Sequence, residues 1–147
     1  ARLYELKNII GVKDATGDLN RVDKTLKKLG GSFLQLTGND DNALEFNKRG
    51  GEGAISVTAN IAPKICSDFQ KYSNLKEASA NKEKALRLDE ILQPLHHSMF
   101  VESNPSPVKY AAKKLGLCDD AVRLPLVKVT DNTKDIINNA LKKSKLI

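Results

Sequence analysis

Three short runs rich in aliphatic and β-branched residues, NIIGVKDA (8–15), SFLQLTG (32–38) and GAISVTAN (53–60), stand near the start of the chain, each separated from the next by one amphipathic segment. Strands joined by single crossover helices must lie parallel, and a parallel sheet needs cover on both faces. The first connecting segment, DLNRVDKTLKKLGG, sets Leu19, Val22, Leu26 and Leu29 on one helical stripe and closes on Gly30 and Gly31. The second, NDDNALEFNKRGG, predicts a shorter helix ending at Gly50 and Gly51. After Asn60 the βα rhythm stops. IAPKICSDFQKYS, the long NLKEASANKEKALRLDEILQPLHHSMF, SPVKYAAKKLGL and DNTKDIINNALKKS all predict helices, with Pro94 bending or interrupting the longest.

Three parallel strands by themselves expose two long edges. The βα part therefore reads as a piece of a larger α/β architecture, either half of a (β/α) barrel or one edge of a doubly wound sheet, completed by another copy or another chain. The expected division is 1–60 as three βα units and 61–147 as a helical part, which the resemblance described below makes the last barrel helix followed by a helical extension.

Composition narrows the function classes. In 147 residues with 40% hydrophobic content, no apolar run approaches the ~20 residues of a membrane span, so a soluble protein is expected and a membrane partner is not. The amino-terminal ARLYELKN lacks the apolar core of a secretory signal, which favours a cytoplasmic setting. Cys66 and Cys118 are far apart and match no CxxC or Cys/His spacing, so neither a disulfide framework nor a zinc site is expected; one thiol falls on a helix face and the other in a turn. The formal charge of +6 raises the question of nucleic acid, but the lysines are spread along helix faces, aromatic residues make up only 5%, and no binding motif accompanies them. Solvated lysine-rich helices are the expectation, without nucleic acid as a partner.

Working residues of parallel βα proteins sit at the carboxyl ends of strands. The first run, Ile9 to Lys13, ends on an amine. Alternation places Gly11 and Ile9 on the face of Lys13, with Gly11 leaving space beneath it, and Ile10 and Val12 on the opposite, helix-covered face. A lysine desolvated in a pocket loses part of its proton affinity, and the neutral amine is the nucleophile that forms Schiff bases with carbonyl substrates. The competing reading has Lys13 beyond the strand, in solvent, paired with Asp14. The second strand runs into Thr37, Gly38, Asn39 and Asp40, where glycine lets backbone approach a ligand and Asn39 and Asp40 can cap the next helix. The third ends in a small, open rim at Ile55 and Ser56. His96 and His97 read as surface residues of a helix.

NIIGVKDATGDLNR, LTGNDDNALEF, GGEGAISVTAN and FVESNPSPVKYAAKKLGL, taken in order, resemble the carboxyl-terminal half of the dihydrodipicolinate synthase (4-hydroxy-tetrahydrodipicolinate synthase) family over essentially the whole chain. The resemblance implies a partial (β/α)8 TIM barrel, strands 6 to 8, with a C-terminal helical extension. It implies a lyase of the pyruvate-dependent class I aldolase type that condenses pyruvate with aspartate 4-semialdehyde in lysine and diaminopimelate biosynthesis. No cofactor is implied, since the Schiff-base lysine takes that role. By motif, Lys13 of IIGVKDATG falls on the lysine that binds pyruvate, Gly38 of TGNDD on the glycine beside it, and Ile55 of GAISVTAN on the residue whose backbone borders the pyruvyl group. Asn104 and Pro105 of ESNPSPVKYA fall where the post-barrel helix begins and are expected to be structural.

The family's carboxylate-holding threonine pair, its proton-relay tyrosines and the arginine that receives the second substrate lie in the first five βα units, whose motifs the chain does not carry. Tyr4, Tyr72 and Tyr110 stand in other contexts. Two readings follow from different classes: an enzyme half completed by an N-terminal half or assembled as a homo-oligomer, and an inactive truncated remnant that folds and self-associates. Sibling aldolases such as N-acetylneuraminate lyase and the keto-deoxy sugar acid aldolases share the lysine strand; ISVTAN and the acidic pair of GNDD favour the synthase.

Overall fold

The computed structural model describes residues 2–74 and 82–147. The first turns of the long helix expected over 74–100 fall largely in 75–81, outside the described residues. The chain divides into two compact units, Ala1–Ser56 with Phe69–Leu86, and Val57–Asp68 with Arg87–Ile147.

The first unit is built on a three-stranded parallel sheet in the order β1 (Gly11–Asp14), β2 (Leu34–Thr37), β3 (Gly53–Ala54). Gly11 stands opposite Leu34, Lys13 opposite Leu36, and Leu36 opposite Gly53. Helix α1 (Asn20–Leu29) connects the first pair of strands; a 3-10 turn, Asp40–Asn42, and α2 (Ala43–Lys48) connect the second. Helices α3 (Pro63–Ser73) and α4 (Lys82–Ser98) contribute their 69–73 and 82–86 ends to this unit. Val22, Ala43, Phe46, Phe69 and Ala85 are its buried apolar residues. Asn47, also buried, donates to Gln70 and Ser73 at 2.7 Å each, tying α2 to α3.

The expected buried first strand is shorter and more open than its composition suggested. It begins at Gly11, and Ile10 and Val12 are 67% and 41% exposed rather than helix-covered. The reason is position in the sheet: β1 is an edge with one neighbour, and α1 lies against β2, where Gln35 donates Nε2 to the Val22 carbonyl at 3.2 Å. Of the expected α1 stripe only Val22 is buried, while Leu26 is exposed. The third strand is also cut short. The Ile55 amide still donates to the Thr37 carbonyl at 2.9 Å, but β2 ends there, the ladder has no further rung, and the chain turns into a 3-10 segment at Thr58–Asn60.

The second unit is helical, comprising the 63–68 part of α3, the 87–98 part of α4, α5 (Ser106–Lys114) and α6 (Asp131–Lys143). Helix α6 begins at a Thr130 cap whose hydroxyl accepts from the Thr133 amide, and Glu102 in turn accepts the Thr130 amide and hydroxyl at 3.0 and 2.8 Å. Leu92, Leu95, Met99, Ile137 and Leu141 are fully buried. Pro94 does not interrupt α4, which runs on to Ser98. Leu92 and Leu95, on either side of the proline, are wholly buried, so the helix stays packed through it. His96 is 3% exposed and so is not a surface residue: 92, 95, 96 and 99 form one i, i+3, i+4, i+7 stripe, and its Nδ1 lies 2.7 Å from the Thr58 hydroxyl. His97 is exposed, its Nδ1 donating to the Gln93 carbonyl at 2.7 Å. No described helix is long and apolar enough to cross a membrane.

Candidate functional site

The two faces of the sheet differ in cover. Gln35 and Thr37 point to the helix side and are buried, whereas Leu34 and Leu36 on the other face are partly exposed and Ile55 is 51% exposed. An open cavity of about 320 Å³ runs over this second face, and Ile9, Gly11, Lys13, Leu34, Leu36 and Ile55 contribute to its lining.

Lys13 belongs to β1 rather than lying beyond it, yet it is exposed to solvent as the competing reading expected. The pairing with Asp14 in that reading is not formed, the carboxylate being bonded to Arg21, Nε to Oδ2 at 2.5 Å. The Lys13 side chain makes no hydrogen bond or ion pair among the described residues. It is exposed, so the desolvated pocket expected around it is not formed within this chain.

Gly38 adjoins it. A Cβ at position 38 would stand 2.6 Å from Lys13 Cε and 2.7 Å from Ala15 Cβ, so glycine is what lets the lysine stem lie across the end of β2. The structure thus places Lys13 and Ile55 on one cavity and Gly38 against the lysine stem. Gly11 has a further role: its Cβ would meet the Leu34 carbonyl oxygen at 2.6 Å and Leu34 Cβ at 2.7 Å, so its small size serves the close approach of β1 to β2.

Capping after β2 is also different. Asn39 makes no side-chain cap on the 3-10 turn. Thr37, buried at the strand end, organises the turn instead, accepting the Asn39 amide at 3.0 Å and donating toward the Asn42 Oδ1 at 3.4 Å.

The turn after Lys13 carries a network that sequence reasoning missed. Asp14 Oδ1 accepts the Thr16 amide at 2.8 Å and its hydroxyl at 2.6 Å, and the Arg21 guanidinium closes the loop on Oδ2. Partial burial alone would push the Asp14 carboxyl up, but the Thr16 and Arg21 bonds outweigh it and hold the group below the ordinary aspartate value, while the same bond raises Arg21. The signal was present as an Asp-x-Thr turn with an arginine in the first turn of the following helix.

Other candidates lie elsewhere. Tyr4 stacks edge-to-face on Phe33 at 5.6 Å, Tyr72 receives the Lys84 ammonium 5.2 Å over its ring, and Tyr110 donates to Asn138 at 3.4 Å. Cys66 is buried on α3 and Cys118 is exposed. Asn104 and Pro105 precede α5 and border a second cavity, about 380 Å³, in the helical unit with Asn60, Val108 and Lys109. Among the described residues no group of three or more His, Cys, Asp or Glu is placed to hold a metal ion.

The sequence profile of the Dihydrodipicolinate synthetase family matches residues 1–144. The 4-hydroxy-tetrahydrodipicolinate synthase of Pelagibacter ubique is 71% identical over 147 residues, covering 100% of this chain and 50% of that protein. That of Methylobacterium radiotolerans is 48% identical over the same length, covering 48% of that protein. Among solved structures, the chloride-inhibited dihydrodipicolinate synthase of Acinetobacter baumannii complexed with pyruvate superposes with a TM-score of 0.91 at 39% identity, over 99% of this chain and 49% of that one. The Thermotoga maritima enzyme gives 0.89 at 36%, over 99% and 50%. The chain spans about half the length of the curated relatives it matches, and its three parallel strands and six described α-helices match part of the barrel of those enzymes. With a family profile running over nearly its whole length and relatives matched end to end, the chain belongs to the dihydrodipicolinate synthetase family.

Proposed function

We propose that this chain is the carboxyl-terminal part of a 4-hydroxy-tetrahydrodipicolinate synthase, carrying strands 6 to 8 of the barrel over 1–60 and the last barrel helix with its helical extension over 61–147. The observation that carries the reading is Lys13: an amine with no ion pair among the described residues, at the end of β1, on a cavity shared with Ile55, its stem against Gly38. In this reading the amine adds to the keto carbon of pyruvate and water leaves, giving an imine. Loss of a methyl proton gives the enamine, whose carbon attacks the aldehyde of aspartate 4-semialdehyde, and hydrolysis frees the lysine. Gly38 and Ile55 border the bound pyruvyl group.

The open face of Leu34, Leu36 and Ile55 supports a further part of the reading, that an N-terminal half or a second copy of the chain covers it. The carboxylate clamp and proton relay would come from that missing half, and each such group contributes ~10²-fold or more. Condensation is therefore expected only when the N-terminal half of a relative is supplied. Incubation with pyruvate and borohydride, followed by peptide mass mapping, tests the nucleophile. Labelling centred on Lys13 and lost in Lys13→Ala supports it; labelling spread evenly over surface lysines refutes it. Robust turnover of pyruvate and aspartate 4-semialdehyde by the chain alone would refute the dependence on a missing half.

A further inference from the structure

The residue after the lysine binds in three directions. Asp14 Oδ1 accepts the amide and hydroxyl of Thr16, Oδ2 accepts Arg21 Nε at 2.5 Å, and the Asp14 main-chain carbonyl accepts the Gly38 amide at 2.7 Å. The wiring continues along the turn, with Thr16 Oγ1 accepting the Asp18 amide at 3.3 Å and Asp18 Oδ1 accepting the Asn20 amide at 3.0 Å. The segment from the end of β1 to the first turn of α1 is thereby closed on itself, and the same residue ties it to the glycine against which the Lys13 stem lies.

Two consequences bear on the amine. The first is geometric: Lys13 projects from a backbone whose next residue is fixed by its carbonyl and by both carboxylate oxygens. The second concerns the direction of approach: successive strand residues face opposite sides, so the Asp14–Arg21 pair braces the strand end from the side away from Lys13 and leaves the face of the amine open.

We infer that Asp14 and Arg21 form a positioning pair for Lys13, fixing the strand end from which it projects. This rests on the reading of Lys13 as the nucleophile toward pyruvate. Neither residue lines the cavity, so both act through Lys13 rather than on a substrate.

The experiment uses the chain itself with pyruvate and borohydride, reading the labelling rate at Lys13 against that at Lys64, 88% exposed and paired with Asp68 at 3.3 Å, as an internal reference that neither substitution touches. Asp14→Asn and Arg21→Gln are each expected to lower the Lys13 rate by on the order of tenfold, in line with the sensitivity of such reactions to small misplacements, and to leave Lys64 unchanged. The double variant should fall no further than either single one, because one pair is being removed. Arg21→Lys, which keeps a cation opposite Asp14, should recover most of the rate. Should Asp14→Asn lose helical circular dichroism, Arg21→Gln decides, since Arg21 is a half-exposed side chain whose loss leaves the Thr16 bonds in place. Preferential Lys13 labelling that neither variant alters overturns the inference while leaving the nucleophile standing. Parental labelling with no preference for Lys13 over Lys64 overturns the reading of Lys13 and the inference with it.

Discussion

Replacing Gly38 by alanine tests the geometry of the lysine stem more directly than replacing the lysine. The new Cβ would lie 2.6 Å from Lys13 Cε and 2.7 Å from Ala15 Cβ, against the 3.5–4.0 Å at which carbon atoms attract one another, so each contact is short by about 1 Å. The two neighbours yield differently. Lys13 Cε is near the end of an exposed chain and can swing aside at little cost in stability. Ala15 Cβ has no torsion to turn, and moving it means moving a backbone pinned by the Gly38 amide bond to the Asp14 carbonyl at 2.7 Å. Overpacking of this kind costs about 1–3 kcal/mol. Urea unfolding followed by circular dichroism is expected to show that loss for Gly38→Ala. Gly31→Ala serves as the control, because a Cβ there meets nothing within 4 Å, and it should be neutral or stabilising by a few tenths of a kcal/mol. Adding Ala15→Gly to Gly38→Ala removes the stiff contact and leaves the flexible one, so stability should largely return. Pyruvate labelling at Lys13 should stay low, since the displaced stem is not restored. A Gly38→Ala variant within 0.5 kcal/mol of the parent and labelled at the parental rate would refute the close packing on which the site is argued.

Three further outcomes follow from other parts of the chain. Asp120 is buried and accepts from Lys128 at 2.8 Å and Lys113 at 2.9 Å, which hold its carboxyl well below the ordinary aspartate value. A depressed folded-state value stabilises above the unfolded value of about 4 and loses its effect as pH falls through and below it, so the melting-temperature gap between parent and Asp120→Asn should be widest near neutrality and close toward pH 2; a gap independent of pH would refute the pairing. His96→Leu removes the buried 2.7 Å bond to the Thr58 hydroxyl and should cost about 1–3 kcal/mol in urea unfolding, whereas an unchanged midpoint would show that the bond contributes nothing net. The open sheet face, with Leu34 and Leu36 partly exposed and Ile55 51% exposed, is expected to draw two copies together in the absence of an N-terminal half, giving a light-scattering mass of twice 16.1 kDa at micromolar concentration; a concentration-independent mass of 16.1 kDa would refute it.

What the sequence made legible was whatever depends on local pattern. The alternation of aliphatic runs and amphipathic segments yields a parallel sheet with the expected strand order, and helices α5 and α6 lie within the segments read as helical. The position of Lys13 at a strand end also follows from pattern, because a run of aliphatic residues stopping at an amine and an aspartate has few other places to stop. What was not legible depends on which neighbour is present. Val12 and Ile10 have the composition of buried strand residues and are exposed, because β1 is an edge in this chain and the helix after it lies on β2. GAISVTAN has the β-branched content of a long strand, yet only Gly53–Ala54 pair, because ladder length is set by β2 and not by the propensity of β3.

His96 is the intermediate case, since its spacing from Leu92, Leu95 and Met99 marks a buried stripe, but a histidine in a polar-looking HHS run was read by type instead of by phase. The Asp14 network shows the limit from the other side. Each of its members, an aspartate, a threonine two residues on and an arginine at the helix start, has an ordinary role in a turn, and only the distances reveal that the three close on one another at the strand end that carries Lys13.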